Sequence, residues 1–169
     1  GRSRLAYGKD GRWRLSDEVA SDYAALIETA AASGPGGLYA LQAALCLVRG
    51  EAFQTTDPYG WLAFVREARH CRLLATSAAR RAAELAVGAG RTDEALAALT
   101  AGLTLVPTAE VLWRERLRLA ARIDPAAVTA EVTQMYSVLA EHGVRPEPET
   151  DALARQLVPG PEGGAAVGS

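Results

Sequence analysis

The feature that most constrains the fold is a repeated pattern of amphipathic helical segments and tight turns between Arg80 and Leu139. The stretch AGRTDEALAALTAGLTLVP (residues 89–107) shows one half of a unit: a glycine turn, leucines at helical spacing, and a closing proline. Ala79 and Trp113 lie 34 residues apart in the first helices of two successive pairs, and this is the period of the tetratricopeptide repeat. The pattern predicts an all-α protein of tetratricopeptide-like antiparallel helical pairs in a right-handed array.

Small residues stand where the two helices of a pair would touch. Ala83 and Ala86 belong to the first helix of one pair, Ala95 and Gly102 belong to the second, and Pro107 ends the unit. Because the side chains at a contact set how closely two helices approach, we expect these residues to be buried between the helices.

Breakers and caps give the expected bounds of the elements. The expected order begins with a short β-hairpin from Arg2–Tyr7 and Gly11–Leu15, a helix within residues 16–33, a break at GPGG (residues 34–37), a helix from Leu38 to about Val48 and a loop over residues 49–60. A long helix Trp61–Gly88 and a helix capped by Thr92 that runs to Pro107 come next. The order ends with a helix Glu110–Arg122, a helix started by Asp124–Pro125 and ended at His142–Gly143, and a short last helix with Leu153 and Leu157.

Three regions follow from this order. Residues 1–15 are expected to be the remnant of an upstream module or linker, and residues 16–158 the helical domain. The tail, residues 159–169 (PGPEGGAAVGS), has almost nothing to bury and is expected to be disordered.

The distribution of charge indicates that most of the protein surface does not bind nucleic acid. The chain has a net charge of −2, yet its first fifteen residues carry five basic side chains and one acidic one, a net charge of +4, which leaves −6 for the rest. The alternative to a protein-binding role is therefore a nucleic-acid-binding module that uses only this N-terminal segment. Arginine supplies nearly all the positive charge and Lys9 is the only lysine, a bias typical of a GC-rich, actinobacterial gene.

Cysteine usage and hydropathy favour the cytoplasm. Cys46 and Cys71 both fall in helical runs, and we expect two packed thiols in a reducing compartment. No apolar run reaches the length of about 18 residues that a membrane-spanning helix needs, so no membrane contact is expected from this segment.

The sequence offers no set of catalytic, cofactor-binding or metal-ligating residues. His70 and Cys71 are adjacent and so project about 100° apart on a helix, and no glycine loop is followed by the lysine of a phosphate-binding motif. Together with Cys46 they also lack the paired spacing of zinc ligands. We therefore expect no enzyme, no cofactor, no metal and no small-molecule substrate.

The arginines suggest a binding surface. Arg114, Arg118 and Arg122 recur every four residues on one helix, and Arg80 is the counterpart of Arg114 one period earlier. We expect these four residues to line an inner groove that binds an acidic peptide, and Arg114 and Arg118 to be exposed. The acidic segment RPEPETD (residues 145–151) or Glu162 of the tail could fill that groove within the chain. The competing interpretation is a solvated face, partly neutralised by Glu84, Glu110 and Glu115, and this is what runs of surface charge more often indicate.

Four stretches carry a family resemblance. They are YALQAALCLVRGEAF, the run from YGWLAFVREARHC to LTLVP, LWRERLRLAARI, and LAEHGVRPEPETDALARQL, the last being the most specific. From about Arg14 to Leu157 the chain resembles the bacterial transcriptional activator domain family of actinobacterial regulators. Its departures, such as Glu131 near a position that is often aromatic, are those of a divergent branch.

The resemblance implies a function. It implies a non-catalytic protein-interaction and regulatory domain of a larger bacterial regulator, which docks onto a neighbouring domain, a second copy or a partner protein in transcriptional regulation. DGRWRL (residues 10–15) resembles the last wing strand of a winged helix, and the chain contains no recognition helix. DNA contact is therefore implied only through a missing upstream domain.

Overall fold

The computed structural model describes residues 5–7, 9, 11, 13–15, 28, 35–46 and 65–158. The elements in chain order are β1 (Leu5–Tyr7), β2 (Trp13–Leu15), α1 (Pro35–Leu45), α2 (Val65–Gly88), α3 (Thr92–Leu105), α4 (Glu110–Ile123), α5 (Val128–Glu141) and α6 (Pro148–Leu157).

The helices form the predicted tetratricopeptide-like array. Helices α2 and α3 make one pair, joined by a tight turn in which Gly90 adopts a φ of 73°. Helices α4 and α5 make the next pair, α6 packs on both of them, and α1 packs on α2 and α3. The fold class predicted from the 34-residue period is confirmed.

A short hairpin precedes the helices. Strands β1 and β2 pair antiparallel, with Leu5 opposite Leu15 and Tyr7 opposite Trp13. Gly11, in the connection, has a φ of 76°, a conformation that residues with a β-carbon seldom adopt. Both strands lie within the segments expected to form the hairpin.

Alanine and glycine build the contact between α2 and α3. Ala79, Ala86 and Ala95 are fully buried. A β-carbon added to Gly102 would lie 2.6 Å from the β-carbon of Ala79, so the two helices are as close there as their backbones allow. The small residues expected at the interface are therefore buried in it.

Larger side chains fill the second pair. Leu112 and Leu117 of α4 and Met135 and Leu139 of α5 are fully buried. Trp113 is 3% exposed, and its indole N–H donates to the carbonyl oxygen of Pro107 at 2.8 Å. This tryptophan anchors helix packing, as expected.

Several expected boundaries were wrong. Helix α1 begins at Pro35, inside the glycine-rich segment expected to be a break, because proline fits the first turn of a helix. Thr92 is the first residue of α3, and its cap position is Arg91, whose side chain makes no capping hydrogen bond. Pro125 lies in the turn before α5, where the Asp124 carboxylate accepts the N–H of Ala126.

The expectation of two packed thiols was half right. Both cysteines are free, Cys71 is buried, and Cys46 is exposed one residue after the end of α1. The predicted helix within residues 16–33 (apart from Glu28), the loop over residues 49–60, Trp61 and the whole tail lie outside the described residues.

Candidate partner-binding surface

The first helices of successive pairs are joined by a repeated ionic contact. The Nε of Arg80 in α2 lies 2.6 Å from the Oε1 of Glu115 in α4. One period later, the Nη2 of Arg114 in α4 lies 4.0 Å from the Oε2 of Glu149 in α6. In both pairs the two residues are 35 positions apart, and α4 packs on α2 and on α6. The three helices therefore stand next to one another along the array.

The four predicted site residues are divided along these helices. Arg114 points toward α6, whereas Arg118 and Arg122 point toward α2. At 3.6 residues per turn, each four-residue step advances about 40° around the helix, so Arg122 is rotated by about 80° from Arg114. Over two four-residue steps the arginine side chains therefore turn from the α6 side of α4 to its α2 side.

Arg114 binds the start of α6. Its Nη1 donates to the Oε2 of Glu147 at 2.6 Å and to the Oγ1 of Thr150 at 2.8 Å. The Arg114 side chain is only 15% exposed, and the Thr150 residue is fully buried. The expectation that Arg114 is exposed was wrong, because the acidic segment of the same chain covers it.

Arg118 and Arg122 line a groove between α2 and α4, which we call the α2–α4 groove. Both are exposed, and they stand one helical turn apart on the α4 side. The groove has a volume of about 390 Å³ and is lined by Ala83, Glu84, Val87, Gly88, Leu99, Glu115, Arg118, Leu119 and Arg122. Its floor is apolar, since Ala83, Leu99 and Leu119 are buried there.

The carboxylates of the groove already have partners. Glu115 is paired with Arg80, and Glu84 lies 3.4 Å from Arg81 and 4.0 Å from Arg80. Within the described ranges, Arg118 and Arg122 form no ion pair; the Arg122 Nε only donates to the carbonyl oxygen of Arg118 at 3.3 Å. This leaves positive charge along an apolar cleft.

Arg80 borders a second hollow next to the groove. This hollow is lined by Leu73, Thr76, Ser77, Arg80, Arg81, Glu84 and Val111, and it shares Glu84 with the α2–α4 groove. Leu73 is 61% exposed at its edge. The structure thus brings Arg80, Arg118 and Arg122 to neighbouring parts of one face and places Arg114 apart from them.

Sequence reasoning missed two polar contacts that hold this face together. Arg116 donates from Nε and Nη2 to both carboxylate oxygens of Glu131, at 2.7 and 2.8 Å, and so ties α4 to α5. Glu110 is 7% exposed, and its Oε2 accepts the backbone N–H of Glu147 at 2.8 Å. The one sequence signal was a charged residue, Glu131, near a position where many members of the resembled family have an aromatic residue.

Two further features are absent from the part of the chain that the structure describes. It holds no cluster of three or more His, Cys, Asp or Glu side chains that could ligate a metal ion. None of its helices is both long enough and apolar enough to cross a membrane.

Comparison with known proteins gives one match. The family model described as "Bacterial transcriptional activator domain" matches residues 15–158 of the 169-residue chain. No curated protein and no solved structure matches the chain significantly.

Proposed function

The chain belongs to the bacterial transcriptional activator domain family, and we propose that it works as a non-catalytic docking domain of a larger actinobacterial regulator. Its partner would be a protein surface, supplied by a neighbouring domain, a second copy or another cytoplasmic protein. Docking would take place on the face formed by α2, α4 and α6, and DNA contact would be left to other parts of the regulator.

A single observation carries this proposal: two exposed arginines without ion-pair partners among the described residues border an apolar cleft. Exposed arginine is common, but Arg118 and Arg122 differ from Arg80, Arg81 and Arg114, each of which has a carboxylate within 4.0 Å. Arginine is enriched in the centres of protein interfaces because its planar guanidinium both stacks and donates several hydrogen bonds.

The charge balance supports a protein partner over nucleic acid. The groove and its neighbouring hollow hold four arginines and two glutamates, a net charge of +2, in a chain whose overall charge is −2. A duplex presents one negative charge per ~1.7 Å, which requires a long basic track rather than a local patch.

The proposal is tested in cells by charge reversal. Arg118→Glu with Arg122→Glu would be introduced into the chromosomal gene, and transcript levels compared with those of the parent strain and a strain lacking residues 15–158. We expect the groove variant to reproduce the transcript changes of the deletion, at unchanged protein abundance.

The matched control is Arg72→Glu with Arg145→Glu. Both arginines are exposed, and neither lies in the α2–α4 groove or forms an ion pair within the described residues. The control pair makes the same change in net charge and should leave transcripts as in the parent. The docking proposal is wrong if the deletion itself leaves every transcript unchanged, or if the two variants behave alike.

A further inference from the structure

We infer that the α2–α4 groove binds an extended peptide in which an apolar residue stands between two acidic residues. This inference rests on the proposed docking function and adds the class of ligand to it.

The positive charge of the groove favours a ligand that carries carboxylates. Arg118 and Arg122 are exposed on its rim, while Glu84 on α2 and Glu115 on α4 are neutralised by Arg81 and Arg80. An incoming carboxylate would therefore meet two unpaired guanidinium groups with little repulsion. Hydrogen bonds between guanidinium and carboxylate are among the strongest available to a protein surface.

The spacing of the arginines fits an extended chain. Residues four apart on a helix are separated by about 6 Å along its axis. In an extended peptide, side chains at i and i+2 lie on the same side and are about 6.6 Å apart. Two acidic residues at i and i+2 would thus match Arg118 and Arg122 in register, and the residue between them would point the other way.

The floor of the groove provides a place for that middle residue. Ala83 and Leu119 are buried in the floor, and Val87 on its α2 side is 37% exposed. The volume of about 390 Å³ lies in the lower part of the range of about 300–1,000 Å³ that is typical of ligand pockets. It suits one apolar side chain and a short piece of backbone, and it is too small for a helix.

The same chemistry occurs within the chain, one turn earlier on α4. Glu147 has an extended backbone, with φ −61° and ψ 149°, where its carboxylate meets Arg114. The backbone N–H of Glu147 donates a hydrogen bond to the Oε2 of Glu110. On its α6 side, α4 therefore already holds an acidic residue of extended conformation through an arginine.

The test is a titration of the isotope-labelled 169-residue chain followed by NMR. The probe is the synthetic peptide Gly-Ser-Glu-Leu-Glu-Ser-Gly, and the readout is the backbone amide shifts of Ala83, Val87 and Leu119. We expect saturable shifts at the groove and a dissociation constant that rises with salt, because the arginines are exposed. Arg118→Gln with Arg122→Gln should weaken binding at least about tenfold, while Arg72→Gln with Arg145→Gln should not.

Two further peptides test the inference without changing the protein. Gly-Ser-Gln-Leu-Gln-Ser-Gly lacks the charges and Gly-Ser-Glu-Ser-Glu-Ser-Gly lacks the apolar residue, and both should bind at least about tenfold more weakly. The inference is overturned if the uncharged peptide binds equally well, or if the shifts appear outside the groove. A random DNA duplex that shifts the same amides more strongly than the peptide would also overturn it, in favour of nucleic acid.

The two proposals can fail separately. If charge reversal in cells changes transcripts but the acidic peptide leaves the groove amides unmoved, the docking function stands and the ligand class is wrong. If the peptide binds as expected but transcripts are unaffected, the groove chemistry stands and the docking role in transcription is wrong.

Discussion

Gly102 of α3 lies so close to Ala79 of α2 that a β-carbon at residue 102 would be 2.6 Å from the Ala79 β-carbon. The same added atom would be 2.7 Å from the Cδ1 of Leu112 in α4. Three helices thus meet at one glycine. It sets the distance within the α2–α3 pair and the stacking of α4 on that pair, and hence the relative positions of α2 and α4 along the groove.

The first prediction concerns this contact. In Gly102→Ala, the added methyl group overpacks the interface, because the Ala79 β-carbon is fixed to the helix backbone and cannot move aside. This destabilisation is larger than the stabilisation that alanine's higher helix propensity provides. We expect a net loss of about 1–2 kcal/mol in the free energy of unfolding, measured by urea denaturation. Gly88→Ala is the control, since no atom lies within 4 Å of an added β-carbon there. Equal stability of the two variants would contradict the close contact.

The second prediction concerns Arg114. In Arg114→Glu, a largely buried guanidinium is replaced by a carboxylate beside Glu147 and Glu149, and the buried Thr150 loses its donor. We expect the free energy of unfolding to fall by about 2–3 kcal/mol. Arg118→Glu, at an exposed position, should change it by less than about 0.5 kcal/mol. If Arg114→Glu were as mild as Arg118→Glu, the contact with α6 would carry no stability.

The sequence predicted the helical pairs well because their signals are local. A glycine turn, leucines at helical spacing and small residues such as Ala95 and Gly102 act within about 20 residues of each other. The ion pairs were not predictable in this way, since Arg80 meets Glu115 and Arg114 meets Glu147 across more than 30 residues. The four-residue spacing of Arg114, Arg118 and Arg122 correctly predicted that they lie on one helix. It did not predict that they face different sides of it, because an α-helix has 3.6 residues per turn and each four-residue step rotates the side chain.

The third prediction concerns the two thiols. Burial raises the pKa of the Cys71 thiol, with Arg72 opposing the shift, whereas Cys46 is exposed. Since the thiolate is the reactive form, iodoacetamide at neutral pH should modify Cys46 much faster than Cys71, as followed by peptide mass spectrometry. In urea both should react at similar rates. Faster modification of Cys71 in the folded chain would contradict its buried position.

The last prediction concerns Tyr136, which links α5 to α6. Its hydroxyl donates to the Oδ1 of Asp151 at 2.7 Å, and burial together with this hydrogen bond raises the pKa of Tyr136 to about 12, against a small opposing effect of Arg155. The unfolded chain has a tyrosine pKa of about 10. Because the folded state holds the proton more tightly, the stabilisation is complete below about pH 10 and is lost as the pH rises from there to about 12.

Tyr136→Phe measures this contribution directly. At about pH 8 the variant should be less stable by about 1 kcal/mol, the value of one hydrogen bond. The difference from the parent chain should shrink as the pH passes 10, since only the parent has a phenol that must ionise beside Asp151. Urea denaturation across the alkaline range gives the two curves, and phenolate absorbance gives the titration of the folded chain. Parallel stability curves for the two proteins would show that Tyr136 ionises at its ordinary pH and that its contact with Asp151 does not hold α6 in place.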